Sequence, residues 1–145
     1  CVFSRAPSLW WAFLLPPRCF GAPESAASVA TRYQLTVNGR AQPVHVHRCA
    51  SFFTRLRGMF GFGYPHRHDA WCLHRCRAVH TFLLARPIDV VFCDERGDVL
   101  RVCAPLPARR WAYCRGADQV WEFFAGETRR WQLQPGQRLD CRVLP

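Results

Sequence analysis

The sequence predicts an α+β domain that is mainly β: a small antiparallel sheet curled into a partial barrel, with two short helices. Three observations carry this. Short runs alternate apolar and polar residues at a period of two. Asn38-Gly39, Asp94 through Gly97 and Pro135-Gly136 supply tight turns between such runs. Only two segments, 52–60 and 117–124, place apolar residues at helical spacing. The strands are joined by turns and not by helices, which excludes a doubly wound parallel sheet.

The elements follow in chain order. Tyr33, Leu35 and Val37 alternate with polar residues, Asn38-Gly39 turns the chain, and Val44 and Val46 continue on the return strand. Ser51 suits a helix N-cap. Phe52, Phe53, Leu56, Met59 and Phe60 then share a helical face until Gly61 and Gly63 end the run. Residues 64–70 read as a loop. Strands are expected at 71–73 and 78–84, the second broken by Arg86-Pro87. Ile88–Cys93 is apolar except for Asp89 and reads as a central strand, paired with residues 99–102 across the 94–97 turn. Residues 104–110 form a proline-rich connection. Ala117, Val120, Trp121 and Phe124 share one helical face, with Gly126 as the stop. Leu139, Cys141 and Val143 alternate in a last strand.

Residues 31–145 thus form a single domain, long enough for a sizeable core. Residues 1–30 read as a leader, signal-like or disordered. Their apolar run, Leu9–Leu15, is too short to span a bilayer, so no transmembrane segment is expected. The nine cysteines are odd in number and several sit in apolar runs, which points to free buried thiols and a reducing, cytoplasmic setting. Residues 1–28 point the other way, to export.

The charge is one-sided: 20 basic and 10 acidic residues leave +10, and every basic residue is arginine. Without lysine there is no Schiff-base chemistry, no P-loop lysine and no kinase lysine. Serine ends at Ser51, so the second half has no serine nucleophile. The arginines are spread along the chain, whereas a dedicated nucleic-acid binder concentrates its charge. Nucleic acid is therefore not the expected partner.

Several strings fall in a telling order: Arg57–Gly61, Cys76 through His80-Thr81-Phe82, Pro87–Phe92, Asp94–Gly97 with Val99, Ala117–Glu122, Ala125-Gly126 and Pro135-Gly136. Together, over roughly 40–143, they resemble the bacterial and archaeal domain-of-unknown-function family 192. Leu84 and Gln137 depart from its common pattern. The resemblance implies a small β-rich fold and brings no assigned activity, so function rests on residues.

His80, Thr81 and Asp89 are polar residues inside apolar strands, and such residues must be exposed, paired or functional. Hairpin-like closeness of the two segments would bring His80 to Asp89. The pair would then either fix strand register, with Asp89 bonding backbone amides around the Arg86-Pro87 bend, or orient a small polar ligand; catalysis by His80, with Asp89 setting its tautomer, is the remaining reading. Arg57 is either a capping or ion-pair arginine or a fork for a carboxylate or phosphate. Glu122, read as the polar member of a helix, is expected to pair with an arginine. His45-x-His47 reads as a solvated strand edge.

His66, His68, Asp69, Cys72, His74, Cys76 and His80 crowd into fifteen residues. His66, His68, Cys72 and Cys76 offer zinc a donor set, though strand geometry strains a tetrahedron. No cofactor is expected, with zinc as the alternative. The reading is thus a small binding or accessory module for an anionic small molecule or a protein partner, through Arg57, His80, Thr81 and Asp89. Its rival is a metal-dependent or hydrolytic enzyme built on residues 66–80.

Overall fold

Alternation and a strong turn set the first two strands. Tyr33–Val37 (β1) and Arg40–Cys49 (β2) pair antiparallel, with Asn38 at φ 49° and Gly39 at φ 78° between them. These belong to a computed structural model that describes residues 32–49, 68–82 and 84–144. The strands that follow are Asp69–His74 (β3), Ala78–His80 (β4), Ile88–Cys93 (β5), Val99–Leu106 (β6), Trp111–Tyr113 (β7), Gln119–Phe124 (β8) and Leu139–Val143 (β9). One helical turn, Glu127–Arg130 (α1), follows β8.

Seven strands form one sheet in the order β6-β5-β8-β3-β2-β1-β9, and β4 pairs with β7 in a second, two-stranded sheet. The large sheet is mixed, not antiparallel throughout, because β2 and β3 run parallel. Residues 50–68 separate them, a connection long enough for the crossover that parallel strands require. The sheet is not a closed barrel. Its two edge strands meet only near the bridge between Asp98 and Arg138, where Val99 N donates to Gln137 O (2.7 Å) and Leu139 N to Gly97 O (2.9 Å).

The helix expected over 117–124 is instead β8, an interior strand between β5 and β3. Val120, Trp121, Glu122 and Phe123 are all buried because both faces of the sheet are covered. A strand packed on both faces loses its period-two signal, and its apolar run then satisfies helical spacing as well. The described helix is α1 alone. The expected helix over 52–60 lies outside the described residues. The strand expected over 78–84 stops at His80, while β6 runs on to Leu106. Pro105 is tolerated there because β6 is an edge strand.

One face of the large sheet buries Leu35, Val46, Val91, Trp121, Phe123 and Leu139 together. The other buries Trp71, Leu73, Val90, Phe92 and Val120, and receives Val79 and Ala112 from the small sheet. The small sheet is therefore a lid on the large one. Its inward residues are apolar, and its outward residues Ala78, His80, Trp111 and Tyr113 are exposed. All seven described cysteines are free, and Cys49, Cys72, Cys93 and Cys103 are buried. No described helix is long and apolar enough to cross a membrane.

Candidate functional site

The structure separates the residues expected to act together. Asp89 is the second residue of β5 and 1% exposed. Its Oδ2 accepts from Gly126 N (2.9 Å), Thr128 N (3.0 Å) and Thr128 Oγ1 (2.6 Å). The pairing explains this: Ile88 lies opposite Phe124, so the chain leaving β8 turns back over the start of β5. The carboxylate there meets the free amides of the α1 turn, the place where a negative group is favoured. Asp89 is thus a fastener between β5 and α1.

His80 does not meet Asp89. It lies on β4, opposite Trp111 of β7, whereas β5 pairs with β6 and β8. The expected hairpin-like closeness fails because each segment takes a different partner strand. The His80 ring is exposed, with its centroid 5.6 Å from that of Phe82. Thr81 is fully buried. Its hydroxyl donates to Pro107 O (2.6 Å) and accepts from Arg110 N (2.9 Å), and its amide donates to Arg110 O (2.8 Å). Thr81 therefore pins the connection that leads into β7. Arg57 lies outside the described residues.

The donors expected for zinc are dispersed. Cys72 is buried in the sheet interior, and burial pushes its thiol well above the ordinary value. Cys76 follows β3 on the surface side, its Sγ donating to Ala78 O (3.1 Å). His68 is exposed before β3, and His66 lies outside the described residues. His74 accepts from Arg48 Nε at 3.2 Å, and burial, aided by that guanidinium, lowers its proton affinity. Among the described residues no three His, Cys, Asp or Glu groups converge on a point that suits a metal.

β2 is an interior strand, paired with β1 and β3, and of its two histidines His45 is solvent-exposed while His47 is half-buried. His47 stacks on Trp71 at 5.3 Å and lies 3.6 Å from Asp69 Oδ2. Glu122 is a strand residue of the same row, opposite Trp71, and its charge helps hold the neighbouring Cys49 thiol protonated.

One surface lies outside the residues the sequence singles out, the outward face of the β4–β7 lid. Trp111 is 38% exposed, and Tyr113 and Phe82 are each 44% exposed. Beside them, Arg101 Nη1 donates to Tyr113 O (3.0 Å) and Arg77 Nε to Ala117 O (3.2 Å). An open groove lined by Arg75, Cys76, Arg77, Ala78 and Asp118 runs along the start of β4. Segments 74–88 and 99–117, which carry the two strands, contain seven arginines and no acidic residue; Asp118, the next residue, is the acidic group of the groove. The signal that could have found this face is Arg109-Arg110-Trp111-x-Tyr113, two basic residues followed by aromatics at strand period.

Fold and surface together define a small mainly β domain: a mixed seven-stranded sheet lidded by a basic, aromatic-faced strand pair. The chain belongs to the DUF192 family, "Uncharacterized ACR", whose model matches residues 33–141. Two solved structures share the fold. One is a "putative transcription regulator" of Sinorhizobium meliloti 1021, 20% identical, with TM-score 0.64, covering 77% of this chain and 92% of that one. The other is a protein of unknown function from Novosphingobium aromaticivorans DSM 12444, 14% identical, with TM-score 0.63, covering 83% and 93%. A comparison with curated proteins finds no match.

Proposed function

We propose that this domain is a binding module for an anionic partner and that the outward face of β4–β7 is its recognition surface. The observation that carries this is the charge of the segments that flank the lid's strands: residues 74–88 and 99–117 hold seven arginines and no carboxylate, with Asp118, the next residue, as the acidic member of the groove. Most acidic residues of the described chain lie elsewhere, three of them in the 94–98 turn, while Asp118 lines the groove beside Arg75 and Arg77. A surface with an excess of one sign draws an oppositely charged partner and raises its encounter rate. Thr81 and Asp89 support the face from beneath: one fixes the connection into β7, the other locks the sheet on which the lid rests. His80 belongs to the face itself. In this reading the large sheet, joined at Asp98 and Arg138, is a partial barrel serving as scaffold.

The test uses inorganic polyphosphate, a polyanion without bases or side chains. Binding is measured by calorimetry across a salt series on the full chain and on the double variant Arg109→Glu/Arg115→Glu. Both arginines are exposed, so the fold should tolerate the change. The expected result is binding that weakens steeply with salt and falls about tenfold or more in the variant. Absence of binding at low salt, or equal binding by the variant, refutes the proposal.

A further inference from the structure

The lid's exposed rings narrow the class of anion, and this step rests on the reading just given. We infer that the partner is a single-stranded nucleic acid whose bases stack on Trp111 and Tyr113 while arginines of the lid meet its phosphates.

The geometry begins with the register. Trp111 and Tyr113 are two residues apart on β7 and both face outward, while Ala112 between them faces the core. Same-face neighbours on a strand stand about 6.7 Å apart. Duplex bases rise about 3.4 Å per step along each strand. Two consecutive bases lying on these rings must therefore be drawn apart, which a single strand permits and a duplex resists. His80 stands directly across from Trp111, and Ala78 across from Tyr113. The small Ala78 leaves the Tyr113 ring open, while His80 and Phe82 extend the aromatic surface beyond Trp111.

The phosphates need cations beside the rings, not beneath them. Arg109 and Arg110 immediately precede Trp111, and Arg101 is held against the Tyr113 carbonyl at 3.0 Å. Arg77 precedes Ala78 and lines the groove along β4. A backbone crossing β7 thus meets arginine at both ends. Rings for bases and a basic margin for phosphates are the two parts of a sequence-tolerant single-strand site. An acidic peptide would satisfy the arginines but would offer no flat partner for exposed Trp111 and Tyr113. A duplex would keep its base faces hidden from them.

Anisotropy of a labelled fifteen-residue oligothymidine tests the inference, with polyphosphate, a poly-glutamate peptide and a duplex of equal length as competitors. The variants are Trp111→Ala, Tyr113→Ala and the ring-preserving Trp111→Phe and Tyr113→Phe, each checked for folding by circular dichroism. The expected result is that oligothymidine binds more tightly than every competitor. Each alanine variant should lose roughly 5- to 150-fold and each phenylalanine variant should recover most of it. If oligothymidine and polyphosphate bind alike and the alanine variants match the parent, the stacking inference falls and the anionic-partner reading stands. Preference for poly-glutamate or for the duplex also overturns it. If no polyanion binds, both fall together.

Discussion

Replacing Asp89 separates a fastener from a ligand-binding carboxylate. Asp89→Ala removes the one acceptor shared by Gly126 N, Thr128 N and Thr128 Oγ1. Gly126 is exposed, so its amide can turn to water. Thr128 is 2% exposed, and neither its amide nor its hydroxyl has that recourse. Each hydrogen bond to a charged acceptor contributes about 1.5–3 kcal/mol, and a buried donor left unmet costs about 1–3 kcal/mol. Two such donors place the expected loss at about 3–5 kcal/mol, a large part of the roughly 5–15 kcal/mol that holds a domain folded. Asp89→Asn keeps an acceptor oxygen but loses the charge, so its cost should be smaller, about 1–2 kcal/mol. His80→Ala is the control: its exposed ring should change stability by no more than about 0.5 kcal/mol. Urea unfolding followed by circular dichroism and tryptophan emission measures all three. Trp131, edge-on to Phe123 at 5.3 Å, reports on the α1 region. A loss below about 1 kcal/mol for Asp89→Ala, or an equal loss for His80→Ala, would refute the assignment of Asp89 as the β5–α1 fastener.

Two further predictions concern the scaffold. Gly97 has φ 87°, and a Cβ there would collide with the Leu139 carbonyl oxygen. Because that neighbour is backbone, Gly97→Ala should destabilise by at least about 2 kcal/mol, read by differential scanning fluorimetry, whereas Gly39→Ala, with open space around its Cβ, should show only its backbone strain. An unchanged melting temperature for Gly97→Ala would show that the contact between the 94–98 turn and β9 can yield. The second concerns the thiols of Cys49 and Cys93, both pushed up to about 12, first by burial and then by nearby carboxylates. Their folded forms hold a proton that the unfolded chain releases near pH 9.0, so this stability is complete below pH 9 and is lost as pH rises towards 12. Each thiol should withdraw about 1.4 kcal/mol per pH unit in that window, and native protein at pH 8 should alkylate at Cys49 and Cys93 far more slowly than denatured protein. Equal rates in the two states would contradict it.

Elements whose signals are local were readable in the sequence. The β1–β2 hairpin follows from alternation around Asn38-Gly39, β5 from its apolar run, and β9 from Leu139, Cys141 and Val143. The errors came where the deciding contact is distant. Residues 119–124 look helical until both of their faces are known to be buried. The parallel β2–β3 pairing depends on a connection whose direction no local pattern encodes. Asp89 in an apolar strand signals a carboxylate that burial must satisfy with backbone amides, but those amides lie 37 and 39 residues further on, at Gly126 and Thr128, and not around the Arg86-Pro87 bend.

Charge, too, is decided by contacts distant in sequence. Along the chain the arginines look diffuse, which speaks against nucleic acid. Charge density, however, is a property of space. The strands of the lid, Ala78–His80 and Trp111–Tyr113, are separated by residues 81–110, and their pairing brings together arginines distant in sequence, Arg77 O accepting from Cys114 N and Arg109 N donating to Thr81 O. Between them run the acidic 94–98 turn and buried Asp89, which the fold directs to the opposite β9 edge and to α1. An even scatter of arginine thus becomes a surface with an arginine excess, because most carboxylates lie in the 94–98 turn, at α1 or in the sheet interior, and Asp118 is the acidic residue of the groove. That sorting, and not the net charge, is why an anion is the partner to test.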